Sequence, residues 1–187
     1  MKHLGTKKLE TERLILRQFT INDAEFMFKN WANDDNVTKY LTWPTHKDIN
    51  VSKYVLENVL ILNYKNNDSY QWAIVLKEIN EPIGTISVVD KNDEIQMVEI
   101  GYCIGKQWWN KGITTEALNA IIKYFFEEIE VNRIEAWHDI KNLNSGKVMA
   151  KCGMKCEGHL RQSRKNNTGL SDSAIYGILL EEYLKNK

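Results

Sequence analysis

The sequence has few cysteines and prolines, and it carries no excess of charge of either sign. Its 187 residues include three cysteines and two prolines, and 25 basic residues balance 25 acidic ones. An odd number of cysteines without paired spacing argues against a disulfide framework and favours a reducing, cytoplasmic location. The zero net charge argues against nucleic-acid and anionic-membrane partners, because both select for basic proteins.

Long apolar runs, low-complexity stretches and internal repeats are also missing from the sequence. No run approaches the roughly 18 apolar residues that a membrane-spanning helix needs. Residues 1–14 contain no apolar block of signal-peptide length. The hydrophobic share of 43% and the charged share of 27% are typical of a globular protein. This length predicts a single domain over residues 1–187.

Hydrophobic periodicity predicts a mixture of strands and helices. The middle of the chain alternates strand, helix, strand, helix and strand, which favours a locally parallel sheet. A polar loop is expected at 162–172 between the last two strands. The predicted strands are 12–18, 71–77, 82–90, 95–104, 133–137, 154–161 and 173–180, and the predicted helices are 22–31, 48–64, 113–129 and 142–151.

Glu99 lies in the middle of the apolar strand that ends at Ile104. Alternation places it on the opposite face from Val98 and Ile100. A carboxylate at such a position is costly to bury unless it is paired, hydrated or used in chemistry. Two interpretations stay open: Glu99 reaches solvent or pairs with a structural arginine, or it acts as a general base.

The segment from Gln107 to Ile113 connects this strand to the clearest helix in the chain. Such a loop presents unpaired backbone N–H groups at the positive end of the helix dipole, which suits a phosphate or pyrophosphate. Gly112 allows close backbone approach, and Asn110 tolerates the left-handed conformation. An ordinary connection is the alternative, and the Walker and Rossmann glycine motifs are both absent.

The same segment resembles motif A of the GNAT superfamily of N-acyltransferases. That motif has glutamine or arginine, then glycine three residues on, then glycine or alanine two further on. The chain reads Gln107-x-x-Asn110-x-Gly112, with asparagine in place of the first glycine. The resemblance is closest to the ribosomal-protein N-terminal (alanine/serine) acetyltransferase branch. Its other pieces follow in family order: LETERLILRQFTINDAEFMFKNW, EPIGTISV, EIGYCIGKQWWNKGITTEAL, Asn142-x-x-Ser145-x-x-Val148-x-x-Lys151-x-Gly153-Met154 and Gly169-x-x-Asp172-x-x-x-Tyr176.

The resemblance implies an α+β (mixed α/β) fold of the GNAT type. A central mixed, largely antiparallel sheet with one splayed parallel pair would be flanked by about four helices. It also implies acetyl-CoA as co-substrate, with the pantetheine arm beside the strand end and the pyrophosphate on the loop amides. The spacing of Cys152 and Cys156 and the four scattered histidines predict no metal site. The implied cofactor-binding residues are Tyr102, Cys103, Ile104, Gln107, Trp108, Trp109, Asn110, Lys111, Gly112, Ile113, Thr114, Asn142, Ser145 and Lys151; for Asn142 a helix cap is the alternative.

The family reaction transfers an acetyl group directly to a primary amine, without an acyl-enzyme. Glu99 is the candidate base, acting directly or through water, and Ser145 and Tyr176 are candidate proton donors to the thiolate. Met149 stands where many family members have an acidic tyrosine. The family's first two helices help to wall the acceptor pocket, so three early aromatic residues are candidates for either that wall or the core: Trp31, Tyr40 and Trp43.

The acceptor is left open by the sequence. It is an amine of a protein N-terminus or of a small molecule such as a polyamine, an amino acid or an aminoglycoside-like compound. A non-catalytic acyl-CoA-binding module is a third possibility, and family habit suggests a homodimer. An acyl-cysteine at Cys103 is a minor alternative. We expect His138 to make a structural hydrogen bond, and a solvated basic cluster at Arg161, Arg164 and Lys165.

Overall fold

The computed structural model describes residues 1–185, whose strands form one eight-stranded sheet. The strands are β1 (Leu9–Glu10), β2 (Leu14–Arg17), β3 (Gln71–Leu76), β4 (Glu81–Asn92), β5 (Met97–Ile104), β6 (Arg133–Asp139), β7 (Lys155–Asn166) and β8 (Gly169–Leu179). Their order across the sheet is β1-β2-β3-β4-β5-β6-β8-β7. The β5–β6 pair is parallel and the other neighbours are antiparallel, which confirms the predicted fold class.

Six α-helices accompany the sheet in the described chain: α1 (Ala24–Met27), α2 (Asp35–Thr38), α3 (Ile49–Val55), α4 (Ile113–Tyr124), α5 (Leu143–Lys151) and α6 (Leu180–Lys185). Three of them, α1, α3 and α4, continue into π-helical turns. The four predicted helices are confirmed, while α2, α6 and the short strand β1 are additions. Within residues 1–185 no helix is long and apolar enough to cross a membrane.

The central strands of the sheet are buried on both faces, and each face has its own core, whereas β7 is mostly exposed. On one face α4 contributes Leu118 and Ile121, both fully buried, and they pack in the same cluster as the sheet residue Ile100. On the other face Trp31 and Leu56 pack in a second cluster with sheet residues. Burial of a Leu or Ile side chain contributes about 1.5–3 kcal/mol. Strands that are covered on both faces can therefore hold near-continuous apolar runs.

The parallel strands β5 and β6 separate after a short paired stretch. In the described chain they pair at three positions, which end at Glu99 opposite Glu135. Strand β5 continues to Ile104, and residues 100–104 bond to β4 on one side while their β6-facing edge has no strand partner in residues 1–185. The splayed pair is therefore confirmed, and it leaves backbone groups of β5 available to another extended chain.

The predicted polar loop at 162–172 is wrong. Strand β7 continues to Asn166 and β8 begins at Gly169, so the two strands form one long hairpin with a short turn. Polar residues of low strand propensity are tolerated here because tertiary contacts satisfy them. Asn166, which is buried, donates from Nδ2 to Oδ2 of Asp139 at 2.8 Å. Because β8 lies between β6 and β7, the predicted parallel order does not extend beyond β5–β6.

Candidate active site

A cavity of about 430 Å³ opens beside the free end of β5. Two predicted cofactor residues, Gln107 and Lys111, are not part of the cavity wall that residues 1–185 form. Both are exposed on the loop before α4. The predicted cofactor residues that line the cavity are Tyr102, Cys103, Ile104, Trp108, Trp109, Asn110, Gly112, Ile113, Thr114, Asn142, Ser145 and Lys151, and the additional ones are Val37, Tyr40, Leu41, Thr115, Asn144, Lys147 and Val148. A second cavity of about 450 Å³, between the continuation of α3 and strands β3 and β4, contains none of the predicted residues.

The loop before α4 has the backbone conformation that an anion site needs. Asn110 and Gly112 both have left-handed φ angles, of 60° and 74°. The first amide to bond within the helix is that of Glu116, which donates to the carbonyl of Gly112 at 3.0 Å. The amides of residues 113–115 precede it and point toward the start of the helix, where they are available to a negatively charged group.

Contacts from outside the loop hold it in place. Arg13, just before β2, donates from Nη1 to the carbonyl of Lys111 at 2.9 Å and from Nε to Glu116 at 2.6 Å. The indole of Trp109 donates to the carbonyl of Ile104 at 2.9 Å and so folds the loop back against the end of β5. Sequence reasoning missed Arg13, because its partners lie about 100 residues further along the chain.

The first turns of α5 form the opposite wall of the cavity. Asn142 starts this helix, and within the described chain its side chain makes no capping hydrogen bond. Its amide therefore remains available to a ligand in the cavity that it lines. Lys147 and Lys151 are exposed on the same wall. Free amides, two ammonium groups and an open strand edge fit a ligand that has phosphates and an amide-containing arm.

Ser145 is held in the cavity wall by Tyr102. The Tyr102 hydroxyl donates to the carbonyl of Ser145 at 3.0 Å and lies 3.1 Å from its Oγ. Burial raises the pKa of Tyr102 above its ordinary value, so the phenol stays neutral near pH 7. Because the single phenol proton bonds the Ser145 carbonyl, the Ser145 hydroxyl can donate either to the Tyr102 oxygen or, after rotation, into the cavity.

Tyr176 lies behind α5, outside the cavity wall that the described residues form. Its ring centre is 5.6 Å from that of His138, whose Nδ1 donates to the carbonyl of Asp139 at 2.8 Å, as expected for a structural histidine. A Cβ on Gly146 would lie 2.5 Å from Nε2 of His138, so only glycine lets α5 approach this closely. Burial raises the pKa of Tyr176 and keeps its hydroxyl protonated.

Glu99 is 7% exposed, and both of its carboxylate oxygens have partners. Oε1 accepts from the indole of Trp137 at 2.8 Å, and Oε2 accepts from Nη2 of Arg164 at 3.1 Å. The predicted solvated position is therefore wrong for Arg164, which reaches inward from β7, whereas Arg161 and Lys165 are exposed. Glu99 is not part of the described cavity wall. It does lie on the same face of β5 as Cys103, and Cys103 lines the cavity.

The three early aromatic residues occupy different environments. Tyr40 lines the cavity. Trp43 is half-buried, and its ring centre is 5.4 Å from that of His46. Trp31 is 1% exposed and packs against Phe19 in the core. The structure thus brings one of the three to the cavity and places Trp31 in the core.

The tip of the β7–β8 hairpin is tied to the segment that carries Tyr40. The backbone N–H of Asn167 donates to Leu41 at 3.2 Å, and its side-chain amide donates to the carbonyls of Thr38 and Trp43, both at 2.8 Å. This segment follows α2 and supplies one wall of the cavity. The hairpin therefore helps to set the shape of the cavity from a part of the chain that is distant in sequence.

Comparison with known proteins identifies the family. Residues 13–155 match the family model described as an acetyltransferase (GNAT) domain. The uncharacterized N-acetyltransferase p20 of Bacillus licheniformis is 32% identical over 175 residues, which cover 94% of this chain and 97% of that protein. The ribosomal protein uS5 alanine N-acetyltransferase of Escherichia coli (strain K12) is 37% identical over 62 residues, which cover 33% of this chain and 32% of that protein.

Solved structures share the fold. The crystal structure of the microcin C7 self-immunity acetyltransferase MccE in complex with acetyl-CoA and AMP superposes with a TM-score of 0.81 at 23% identity, over 90% of this chain and 93% of that one. Within residues 1–185 no group of three or more His, Cys, Asp or Glu side chains is arranged to hold a metal ion. With the family model matching most of its length, the chain belongs to the GNAT family of acyl-CoA-dependent N-acetyltransferases.

Proposed function

We propose that the protein transfers an acetyl group from acetyl-CoA to a single primary amine, foremost the α-amine of a protein N-terminus. The observation that carries this proposal is the composition of the 430 Å³ cavity. It combines free helix-start amides, an open strand edge and two lysines with an acceptor side that carries no carboxylate in the described wall.

The donor half of the cavity suits coenzyme A. Amides from Asn110 to Thr115 would bind its pyrophosphate, with Lys147 and Lys151 adding positive charge. The open edge of β5 and the Asn142 side chain would bind the amide-containing arm. Bound there, acetyl-CoA supplies an activated acetyl group as a thioester.

The acceptor half favours an amine with one positive charge. The described wall has no Asp or Glu side chain, and the nearby Glu99 is already paired with Arg164. Small polycations such as polyamines or aminoglycosides bind best where several carboxylates converge. A protein N-terminus needs no such cluster, and the E. coli relative is named for acetylating an alanine of a ribosomal protein.

The proposed reaction needs two proton transfers, one from the amine and one to the thiolate, and different residues carry them out. The amine must be uncharged to attack, and Glu99 accepts its proton; because Glu99 lies outside the described cavity wall, a water is the route that the geometry favours. A backbone N–H on the open edge of β5 stabilises the carbonyl oxygen as it becomes negative. As the new C–N bond forms and the C–S bond breaks, Ser145, which lines the cavity, supplies a proton to the thiolate; Tyr176 lies outside the described wall and would act only through a water.

A coenzyme A release assay over a panel of amines tests the proposal. The panel contains peptides with free N-termini, the same peptides blocked at the N-terminus, polyamines, amino acids and aminoglycosides. We expect turnover with the free peptides and none with the blocked ones. Turnover with small amines alone would overturn the acceptor, and thermal stabilisation by acetyl-CoA without turnover of any amine would overturn catalysis.

Cys103 tests the direct-transfer mechanism. Burial raises the pKa of its thiol to about 12, so the nucleophilic thiolate is scarce at neutral pH. We expect Cys103→Ala to keep its rate within about threefold of the unmodified enzyme, since Cys here is a small buried apolar side chain. Intact-mass spectrometry with acetyl-CoA and no acceptor should find no acetylated protein. An acetyl group on Cys103, together with an inactive alanine variant, would contradict direct transfer.

Asn167 tests whether the hairpin shapes the acceptor side. Asn167→Ala removes two hydrogen bonds to the segment after α2, each with a net value of about 0.5–1.5 kcal/mol. We expect KM for a peptide acceptor to rise about fivefold or more, with KM for acetyl-CoA within about twofold. Asn58→Ala is the control, because Asn58 is exposed and bonds within its own helical segment. A rise in KM for acetyl-CoA alone would contradict this assignment.

A further inference from the structure

The carboxylate of Glu99 is oriented by two groups from different strands. Trp137, on β6, donates to one oxygen, and Arg164, on β7, donates to the other. The guanidinium carbon of Arg164 lies 4.8 Å from the centre of the Trp137 ring. The three side chains thus form a closed cluster in which each contacts the other two.

Arg164 supplies positive charge to this buried carboxylate. Among the residues that the structure describes, it is the cation within ion-pair distance of Glu99, at 3.1 Å. Arg133, on the neighbouring strand, is committed to Glu135 and Glu157. Without Arg164, this carboxylate, which is 7% exposed, would have no cation partner among the described residues, and an unpaired buried charge is costly.

The Arg164 side chain is fixed although it is 39% exposed. A planar guanidinium that stacks on an indole is attracted to the ring, and its fork of donors loses little freedom when it bonds. Lysine at this position could keep the charge but not the stacked planar geometry. Arginine at this position therefore does more than neutralise the charge of Glu99: its stacked guanidinium also has a fixed orientation.

We infer that Arg164 is a positioning residue for Glu99: from the β7–β8 hairpin it orients the carboxylate for proton acceptance. This inference rests on the proposed function, in which Glu99 accepts the proton of the amine. Arg164 itself exchanges no proton and contacts neither substrate. The hairpin thus contributes to the site at two places. Arg164 bonds Glu99, and Asn167 at the hairpin tip bonds the segment that forms one cavity wall.

A double-mutant cycle tests this inference. We expect Arg164→Gln to lower kcat about tenfold while KM for acetyl-CoA changes less than about twofold. In a Glu99→Gln background, the same substitution should change kcat by less than about twofold, because its effect passes through Glu99. Arg164→Lys should recover part of the lost rate. The control is Arg161→Gln, an exposed arginine on the same strand, which should match the unmodified enzyme.

Two kinetic results would overturn the inference, and a third would remove the proposed function on which it rests. An equal loss of kcat in both backgrounds would show that Arg164 acts independently of Glu99 and would overturn the inference. Unchanged kinetics of Arg164→Gln beside an active parent enzyme would also overturn it while leaving the proposed function intact. A parent enzyme that acetylates no amine in the panel would remove the proposed function, and the inference with it. Thermal melts with acetyl-CoA show whether each variant is folded.

Discussion

Replacing Glu99 by glutamine is expected to lower kcat by at least about 100-fold, since general-base catalysis typically contributes 10²–10⁴. Glutamine has the same shape and can still accept a hydrogen bond from Trp137, but it cannot accept the proton of the amine. KM for acetyl-CoA should stay within about twofold, because Glu99 is not part of the described cavity wall. Initial rates of coenzyme A release across a pH series provide the measurement.

The matched control is Glu135→Gln. Glu135 lies directly opposite Glu99 on β6 and is ion-paired with Arg133. Its substitution changes the same charge on the same face of the sheet, and we expect its rate to stay within about threefold of the parent. Full activity of Glu99→Gln throughout the pH series would show that another group or bulk water accepts the proton.

Gly105→Ala is expected to have the largest structural effect. A Cβ at this position would lie 2.1 Å from the backbone oxygen of Asn30 and 2.6 Å from the ring of Trp108. Neither neighbour can move freely, since one is main chain and the other is a buried indole. Overpacking of this kind costs about 1–3 kcal/mol, which lowers Tm by several degrees in a domain of this size. Because Gly105 begins the loop that leads to α4, acetyl-CoA affinity should also fall about tenfold or more.

Gly158→Ala is the control for this prediction. A Cβ at Gly158 meets no atom of residues 1–185 within 4 Å. Calorimetric melts with and without acetyl-CoA should therefore match the parent for Gly158→Ala and show both losses for Gly105→Ala. A Gly105→Ala protein with parental Tm and parental acetyl-CoA affinity would mean that the loop does not depend on this close approach.

The sequence predicted the parts of the site that depend on local patterns. Strand β5, the loop with Asn110 and Gly112, and helix α4 follow one another along the chain, and their hydrophobic periodicity is strong. Left-handed residues just before a helix can be anticipated from asparagine and glycine. The backbone of the proposed pyrophosphate site was therefore predictable from residues that are close in sequence.

Contacts between distant segments could not be predicted in the same way. Arg164 and Glu99 are 65 residues apart, and the polar residues around Arg164 read as a loop because their strand propensity is low. The second half of the chain pairs through β8, which inserts between β6 and β7. Spacing along the sequence carries no information about which arginine meets a buried carboxylate.

The second predicted helix shows a different limit. Val51, Val59 and Leu62 recur at helical spacing, yet all three are exposed, and the fully buried residues are Ser52 and Leu56. A π-helical turn at Leu56–Leu60 changes the number of residues per turn and rotates the faces that follow it. Periodicity predicted that a helix exists here but not which face it buries.

Titration calorimetry with acetyl-CoA tests the central claim most directly. If the amides before α4, together with Lys147 and Lys151, bind the diphosphate, the heat signal should saturate at one acetyl-CoA per chain. The affinity should then weaken as ionic strength rises, because salt screens exposed charges. A flat titration with both acetyl-CoA and free coenzyme A, carried out on folded protein at low salt, would contradict the account.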